Sequence, residues 1–350
     1  MSTLPARTGA NRVWHRGGHS LVVYPRAWLV AAVLVLLALA LVACELLAGR
    51  MALAPQQVLD ALLGRGDGGI ADRIVLDIRL PRALTALFAG AALGVSGAVF
   101  QSVSRNPLGS PDVIGFTVGA ATGAIAQIVL FDQGVVHVAL AAVAGGLATA
   151  VLVYLLSLRA GVSGGYRLVL VGVGIGAILD ALNGLMLVKG DLDNAVTANL
   201  WRAGSLEARG WQHVLPVLAG VALLLPCVQV LARRLELIEM GDDMARQLGV
   251  AVERTRLAAI ACGVLLAALA TGAAGPIAFV ALAAPQLAAR LCRGGRLPVL
   301  GSAAMAACLL LLADTLAQAL PGRLVLPIGR VTGIVGGIYL MWLLTRPRRA

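Results

Sequence analysis

An all-α, polytopic membrane fold with about ten transmembrane helices is what this sequence predicts, and three observations carry that expectation. Of the 350 residues 59% are hydrophobic, and the mean hydropathy is +0.90, more than one soluble core requires. Ten separate apolar stretches recur along the chain, most of them long enough to cross about 30 Å of hydrocarbon as a helix. The 42 glycines, with abundant alanine and few aromatics, are the small residues that let membrane helices approach closely.

Taken in order, residues 1–26 form a polar tail with Arg7, Arg12, Arg16 and Arg26, and a first span covers 27–47. Leu41-Val42-Ala43-Cys44 resembles a lipoprotein cleavage box. The apolar run is nevertheless long enough to span, and nine further spans follow where a soluble mature domain would be expected. Those spans cover about 83–103, 112–131, 135–158, 167–188, 212–231, 257–273, 276–291, 299–320 and 329–345. The segment 276–291 is short and carries Pro285, so a broken or re-entrant helix buried in protein is open to it. Residues 346–350 are a closing tail, and 27–345 read as a single transmembrane domain.

Charge sets the expected orientation. The net charge of +11 would suggest nucleic acid in a soluble protein, but no stretch alternates basic and aromatic residues. Arginines at helix ends explain it better. With the N-terminus in the cytoplasm, the larger share of the basic residues falls on cytoplasmic segments, which predicts both termini inside. The arginine-rich stretch 50–82, on the outer side, runs against this bias.

The densest run of charge is Arg233–Arg256. Within it Met240, Met244 and Leu248 recur every four residues, on one face of a short helix. Asp242, Asp243, Arg246 and Gln247 cover the other faces, and Gly249 stands where a helix C-cap would be. The chain's own spans cannot bury that apolar stripe. It requires either a soluble partner that drives the membrane part or the lipid headgroups.

Other features narrow the chemistry. Cys44, Cys227, Cys262, Cys292 and Cys308 lie in or beside apolar segments without a CxxC pair, as small buried residues do. His15, His19, His137 and His213 have no ligand spacing, so neither a metal site nor any other cofactor is expected. Glycine pairs at Gly90/Gly94, Gly119/Gly123, Gly172/Gly176 and Gly333/Gly337 predict close helix crossings. Asp180 and Asp314 are the outstanding carboxylates within spans. Either they line a path or they hydrogen-bond a neighbouring helix. The segment 189–210, with Trp201 inside it and Trp211 just beyond, reads as an interfacial loop. Lys189 is the sole lysine, and Gly190-Asp191 follows it. A phosphate-binding loop needs Gly-Lys-Ser/Thr, so ATP is not hydrolysed here by that route.

Four blocks then show a resemblance. They are RLPRALTALFAGAALGVSGAVFQSVSRNPLGSPDVIGF at 79–116, GDDMARQLGV at 241–250, GPIAFVALAAPQLAARL at 275–291 and LPIGRVTGIVGGIYLMWLL at 326–344. In this order they resemble the iron–siderophore and cobalamin permease family of ABC importers, and the 106–112 block and the C-terminal block look closest to ferric-enterobactin permeases. The resemblance implies a cobalamin-permease-like fold of ten helices, paired with a second permease subunit, identical or homologous, around a translocation path. It also implies a separate ATPase subunit and an external siderophore-binding protein, in a bacterial plasma membrane. The 241–250 block matches the family's coupling helix. This assigns Met240, Gly241, Asp242, Met244, Ala245, Arg246, Leu248 and Gly249 to the ATPase. Arg79 and Arg82 match outer arginines that dock the binding protein, with Pro81 setting a helix start, and Arg323 is a third candidate. Gln286 stands where many members have His. The alternatives are a cobalamin or haem cargo, or an ion-coupled secondary transporter. The last would need more intramembrane ionisable groups or paired broken helices. An intramembrane enzyme would need a nucleophile–base pair that the spans lack.

Overall fold

The computed structural model describes residues 7–8, 11–16, 19–49, 51–112, 114–131, 134–158, 165–292, 297–319 and 327–345. The tail that the sequence marks only as polar carries a small antiparallel ribbon, β1 (Arg7–Thr8), β2 (Asn11–Arg16) and β3 (His19–Val23). Its register pairs Arg12 with Val23 and Arg16 with His19. Gly17-Gly18 between these strands is the available sequence signal for such a hairpin.

The other described elements are helices. The helices are α1 (Pro25–Leu47), α2 (Pro55–Leu62), α3 (Ile70–Arg73), α4 (Leu80–Ser104), α5 (Phe116–Ala126), α6 (Val135–Ser157) and α7 (Gly165–Lys189). There follow α8 (Leu192–Arg202), α9 (Trp211–Glu239), α10 (Asp242–Gln247), α11 (Val252–Ala274), α12 (Val280–Cys292), α13 (Val299–Ala319) and α14 (Ile328–Thr345). Among the described residues, seven helices are long and apolar enough to cross a membrane. The shorter apolar runs Phe116–Phe131 and Val280–Cys292 and the 18-residue α14 occupy the other three expected stretches.

The core is built around α4, which packs against α13, α11, α9 and α12. Every residue from Ala92 to Phe100 is buried, as expected of a helix apolar on all sides. Small residues make this possible. A Cβ on Gly90 would lie 2.8 Å from the Ala306 carbonyl oxygen, and one on Gly97 would overlap the Ala281 carbonyl. Gly119 and Gly123 likewise meet α6 at Gly145 and Ala141. The expectation fails at Gly333 and Gly337, where a Cβ would find no described atom of this chain within 4 Å. On α14 it is Gly336 that is closed in, against Phe279.

Three further boundaries differ from expectation. Residues 189–210 are not a plain loop. Helix α8 forms there because Asp191 caps it, accepting from the Asn194 backbone N–H at 2.8 Å. Helix α2 begins at Pro55, with the Gln57 side chain accepting from Ala54 N at 2.9 Å. Nor does Pro81 open a new helix: the helical run is continuous over Ile70–Ser104. A π-helical segment, Ile74–Arg79, immediately precedes α4. Proline has no N–H and crowds the carbonyl four residues back, and the wider π turn absorbs that.

Candidate functional site

The chain makes a sharp elbow where α9 ends. Met240 closes α9, Gly241 takes φ 128°, and the six residues of α10 follow. Gly249 has φ 80°. Its N–H donates to Arg246 O at 2.9 Å, and Val250 N–H reaches back to Ala245 O at 3.0 Å. Those two bonds stop the helix in a left-handed glycine cap, as the sequence suggests. Ala245 is fully buried against the chain. Met240, Met244 and Leu248 remain 68%, 48% and 57% exposed. The apolar stripe is therefore offered outward. Asp243 and Arg246 pair at 2.8 Å on the exposed surface.

Asp242 behaves differently from its neighbours. Its side chain is only 22% exposed. Arg256 Nη2 donates to its two oxygens at 2.9 and 3.0 Å, and Arg105 Nη2 donates to Oδ1. Arg105 is the C-cap of α4 and lies in the left-handed region, φ 50°. Arg256 also donates from Nη1 to Glu253 Oε2 at 3.0 Å, and Tyr154 of α6 donates its hydroxyl to Glu253 Oε1 at 3.2 Å. Burial by itself raises the Asp242 carboxyl. Hydrogen bonds and charge from Arg256, then the charge and hydrogen bond of Arg105, outweigh this and hold it below the usual carboxylate range.

The same end of the bundle gathers other helix ends. Arg26, at the start of α1, donates to Leu291 O at 2.9 Å. Leu297 N–H donates to Glu236, near the end of α9, at 3.1 Å. Gln286 donates to Pro107 O at 2.7 Å, tying α12 to the segment after α4.

The other arginines lie at the far end of α4, whose 25 residues separate the ends by about 37 Å at the usual helical rise. Arg79 is 8% exposed. Its Nη1 donates to Leu46 O at 2.8 Å and Leu47 O at 3.3 Å, and its Nη2 to Met51 O. It caps the C-terminal carbonyls of α1, a favourable place for a cation. Arg82 and Asp314, which the sequence suggests for separate roles, face each other. Nε and Nη2 of Arg82 donate to the two carboxylate oxygens, both at 2.8 Å. Gln318 donates to the same carboxylate at 2.9 Å. Asp314 is 1% exposed and Arg82 23%. Glu45, buried beside this pair, accepts from Thr315 at 3.5 Å, and its Oε2 has no partner among the described residues. Sequence reasoning passed over Glu45, a carboxylate at the end of the first apolar run.

Asp180 is in the open. It accepts from Arg202 Nη2 at 2.8 Å, and its side chain is 60% exposed. Arg323 lies outside the described residues. No group of three or more His, Cys, Asp or Glu that could hold a metal ion occurs among the described residues.

The model of the FecCD transport family matches residues 34–346. The chain belongs to the FecCD transport family. Among curated FecCD-like relatives, the ferric enterobactin transport system permease protein FepG of Escherichia coli strain K12 is 46% identical over 301 residues, covering 86% of this chain and 91% of that protein. The achromobactin transport system permease protein CbrC of Dickeya dadantii strain 3937 is 35% identical over 342 residues, covering 96% and 97%. A solved structure described as an inward-facing metal-chelate type ABC transporter matches with a TM-score of 0.80 and 28% identity. It covers 93% of this chain and all of that one. This FecCD chain is thus a multi-pass membrane transport permease, similar to the transport system permease proteins just named.

Proposed function

We propose that this chain is the permease subunit of an ABC importer that carries a ferric siderophore, of the catecholate or enterobactin type, across a bacterial plasma membrane. The observation that carries this reading is the elbow: Met240, Met244 and Leu248 stand exposed on a capped short helix at one end of an apolar bundle. A fully exposed apolar side chain gains about 1.5–3 kcal/mol on full burial, so covering these partly exposed ones with a soluble protein would contribute to holding it. The chain has no Gly-Lys-Ser/Thr loop of its own, so ATP is hydrolysed on that partner. The 46% identity to a ferric enterobactin permease supports the cargo class.

The orientation follows from the elbow. An ATPase partner makes its end cytoplasmic. The start of α1 lies there too, through Arg26 and Leu291, which supports a cytoplasmic segment 1–26. Helix α14 starts at the opposite end, where Gly329 nears the Ala203 and Pro276 carbonyls, and so runs back toward the elbow side and the tail 346–350. Residues 27–345 form one permease domain. The opposite end takes the binding protein. There the partly exposed edge of Arg82, together with Arg323, receives acidic groups, and Arg79 contributes by holding the end of α1. The second permease subunit covers the face that carries Gly333 and Gly337. Of the two span aspartates, Asp180, exposed and paired with Arg202, lines the path, and Asp314 serves the Arg82 pair.

The test is co-purification. Met244→Asp or Leu248→Asp should detach the ATPase while leaving the permease in the membrane at its usual amount. Retention at the wild-type ratio would overturn the assignment of the elbow. Uptake of a panel of radiolabelled chelates in cells lacking the chain identifies the cargo, with ferric enterobactin expected to be the one lost.

A further inference from the structure

The sequence groups Asp242 with the residues that touch the ATPase, but its side chain turns the other way. We infer that Asp242 is a transmission pin, which couples the elbow to the centre of the bundle through Arg105 and Arg256 without touching the ATPase. This rests on the reading of α10 as the ATPase contact and adds a positioning role for residues that reading leaves unused.

The geometry supplies the case. Helix α10 hangs between two glycines of positive φ, Gly241 and Gly249, and a Cβ on either would meet nothing within 4 Å. These two glycine turns set the six-residue helix off from α9 and α11, with Ala245 as its buried residue. A push on it would be absorbed locally unless something ties it to the spans. Besides the buried Ala245, the tie is an ionic cluster of two guanidiniums, Arg105 and Arg256, and two carboxylates, Asp242 and Glu253, with the Tyr154 hydroxyl on the last. Arg256 is 4% exposed, so water and salt screen its pair with Asp242 far less than a surface pair.

The cluster joins four elements. Asp242 opens α10, Arg105 closes α4, Glu253 and Arg256 sit in the first turns of α11, and Tyr154 is near the end of α6. Of these, α4 is the helix that packs against α13, α11, α9 and α12. A displacement of α10 therefore reaches the core through the cap of α4 and the start of α11 together. Asp243, one residue on, is 94% exposed and pairs with Arg246 of α10 itself. Adjacent aspartates are thus divided, one toward solvent or partner and one toward the bundle.

The experiment uses the full complex with its ATPase in proteoliposomes, with ferric-enterobactin-loaded binding protein as the probe. Asp242→Asn removes the charge with little change of shape. Arg105→Ala opens one arm and leaves the two bonds from Arg256, so it keeps the elbow folded should the first variant not assemble. For both, the ATPase should co-purify at the wild-type ratio and basal ATP hydrolysis should stay within about twofold. Stimulation by the loaded binding protein, and uptake, should fall about tenfold or more, the signature of a lost coupling free energy rather than lost binding. Arg105→Lys should recover part of the stimulation. Uptake unchanged in Arg105→Ala and Asp242→Asn would overturn the inference, as would loss of ATPase co-purification, which would make Asp242 a contact. Failure of the wild-type chain to hold an ATPase would instead remove the reading of α10 itself, and shows before any variant is made.

Discussion

Asp314 and Arg82 show how much a single buried pair decides. Two hydrogen bonds of 2.8 Å join a carboxylate that is 1% exposed to a guanidinium that is 23% exposed. Removing one partner from such a pair leaves a buried charge uncompensated, at a cost of about 3–5 kcal/mol. Asp314→Ala should therefore lower the melting temperature in detergent clearly. Arg82→Ala in the same chain should recover part of the loss, and strict additivity in that double-mutant cycle would show that the two do not interact. The pairing also bears on docking. If the exposed edge of Arg82 meets an acidic partner, association of the binding protein should slow as ionic strength rises toward 0.1 M, where the screening length is about 10 Å. An on-rate that ignores salt would leave Arg82 with its internal role alone. For Asp242 the sign of the pH effect follows from its depressed value. The folded elbow keeps this acid ionised where an unfolded chain would begin to take up a proton. Its contribution is thus complete above the ordinary aspartate value of about 3.9 and lost only as pH falls below it, through the folded value. ATPase association should be flat between about pH 5 and 8 as far as this group is concerned; a midpoint near neutrality abolished by Asp242→Asn would contradict the pairing.

Among the elements, the glycine-marked helices divide into two kinds. On α4, Gly94 and Gly97 press against backbone of α13 and α12. Added side chains there meet carbonyls that cannot rotate away, so overpacking should cost at least the usual range of about 1–3 kcal/mol. Gly97→Val should reduce the yield of monodisperse, membrane-inserted protein. On α14, Gly333→Ala and Gly337→Ala should leave that yield unchanged, because nothing described in this chain lies within 4 Å. If instead both pairs behave alike, the crossing of α4 is not the constraint. Periodicity alone does not separate these cases: Gly90/Gly94 on α4 and Gly333/Gly337 on α14 share the GxxxG spacing, and only the neighbour across the groove differs. The elbow is the opposite case. Its stripe, its glycine cap and its isolation among apolar segments are all local features, and all three stand in the structure where the sequence puts them. Helix α8 was missed although Asp191 and Arg202 mark its two ends, because the polarity of the segment outweighed the cap.

At the scale of the molecule, this FecCD permease is an apolar bundle with a charged elbow at one end and a buried ion pair at the other. Topology is the property most open to test. In a chain whose five cysteines are replaced by alanine, Met244→Cys should resist a membrane-impermeant maleimide in intact spheroplasts and react once the membrane is opened. Labelling from outside would invert the orientation and remove the ATPase from the account. The number of apolar stretches, the helical class, the short amphipathic helix and the missing phosphate loop were all determined by the sequence itself. Hydropathy, helical period and motif spacing are properties of neighbouring residues, and need no knowledge of what lies across the bundle. Only the tertiary structure decided that Arg82 holds Asp314, 232 positions away, that Arg105 reaches Asp242 across 137, and that Arg79 spends its donors on the end of α1. A charge's role depends on which partner packing brings within about 3 Å, and that distance is set by the crossing of helices remote in the chain.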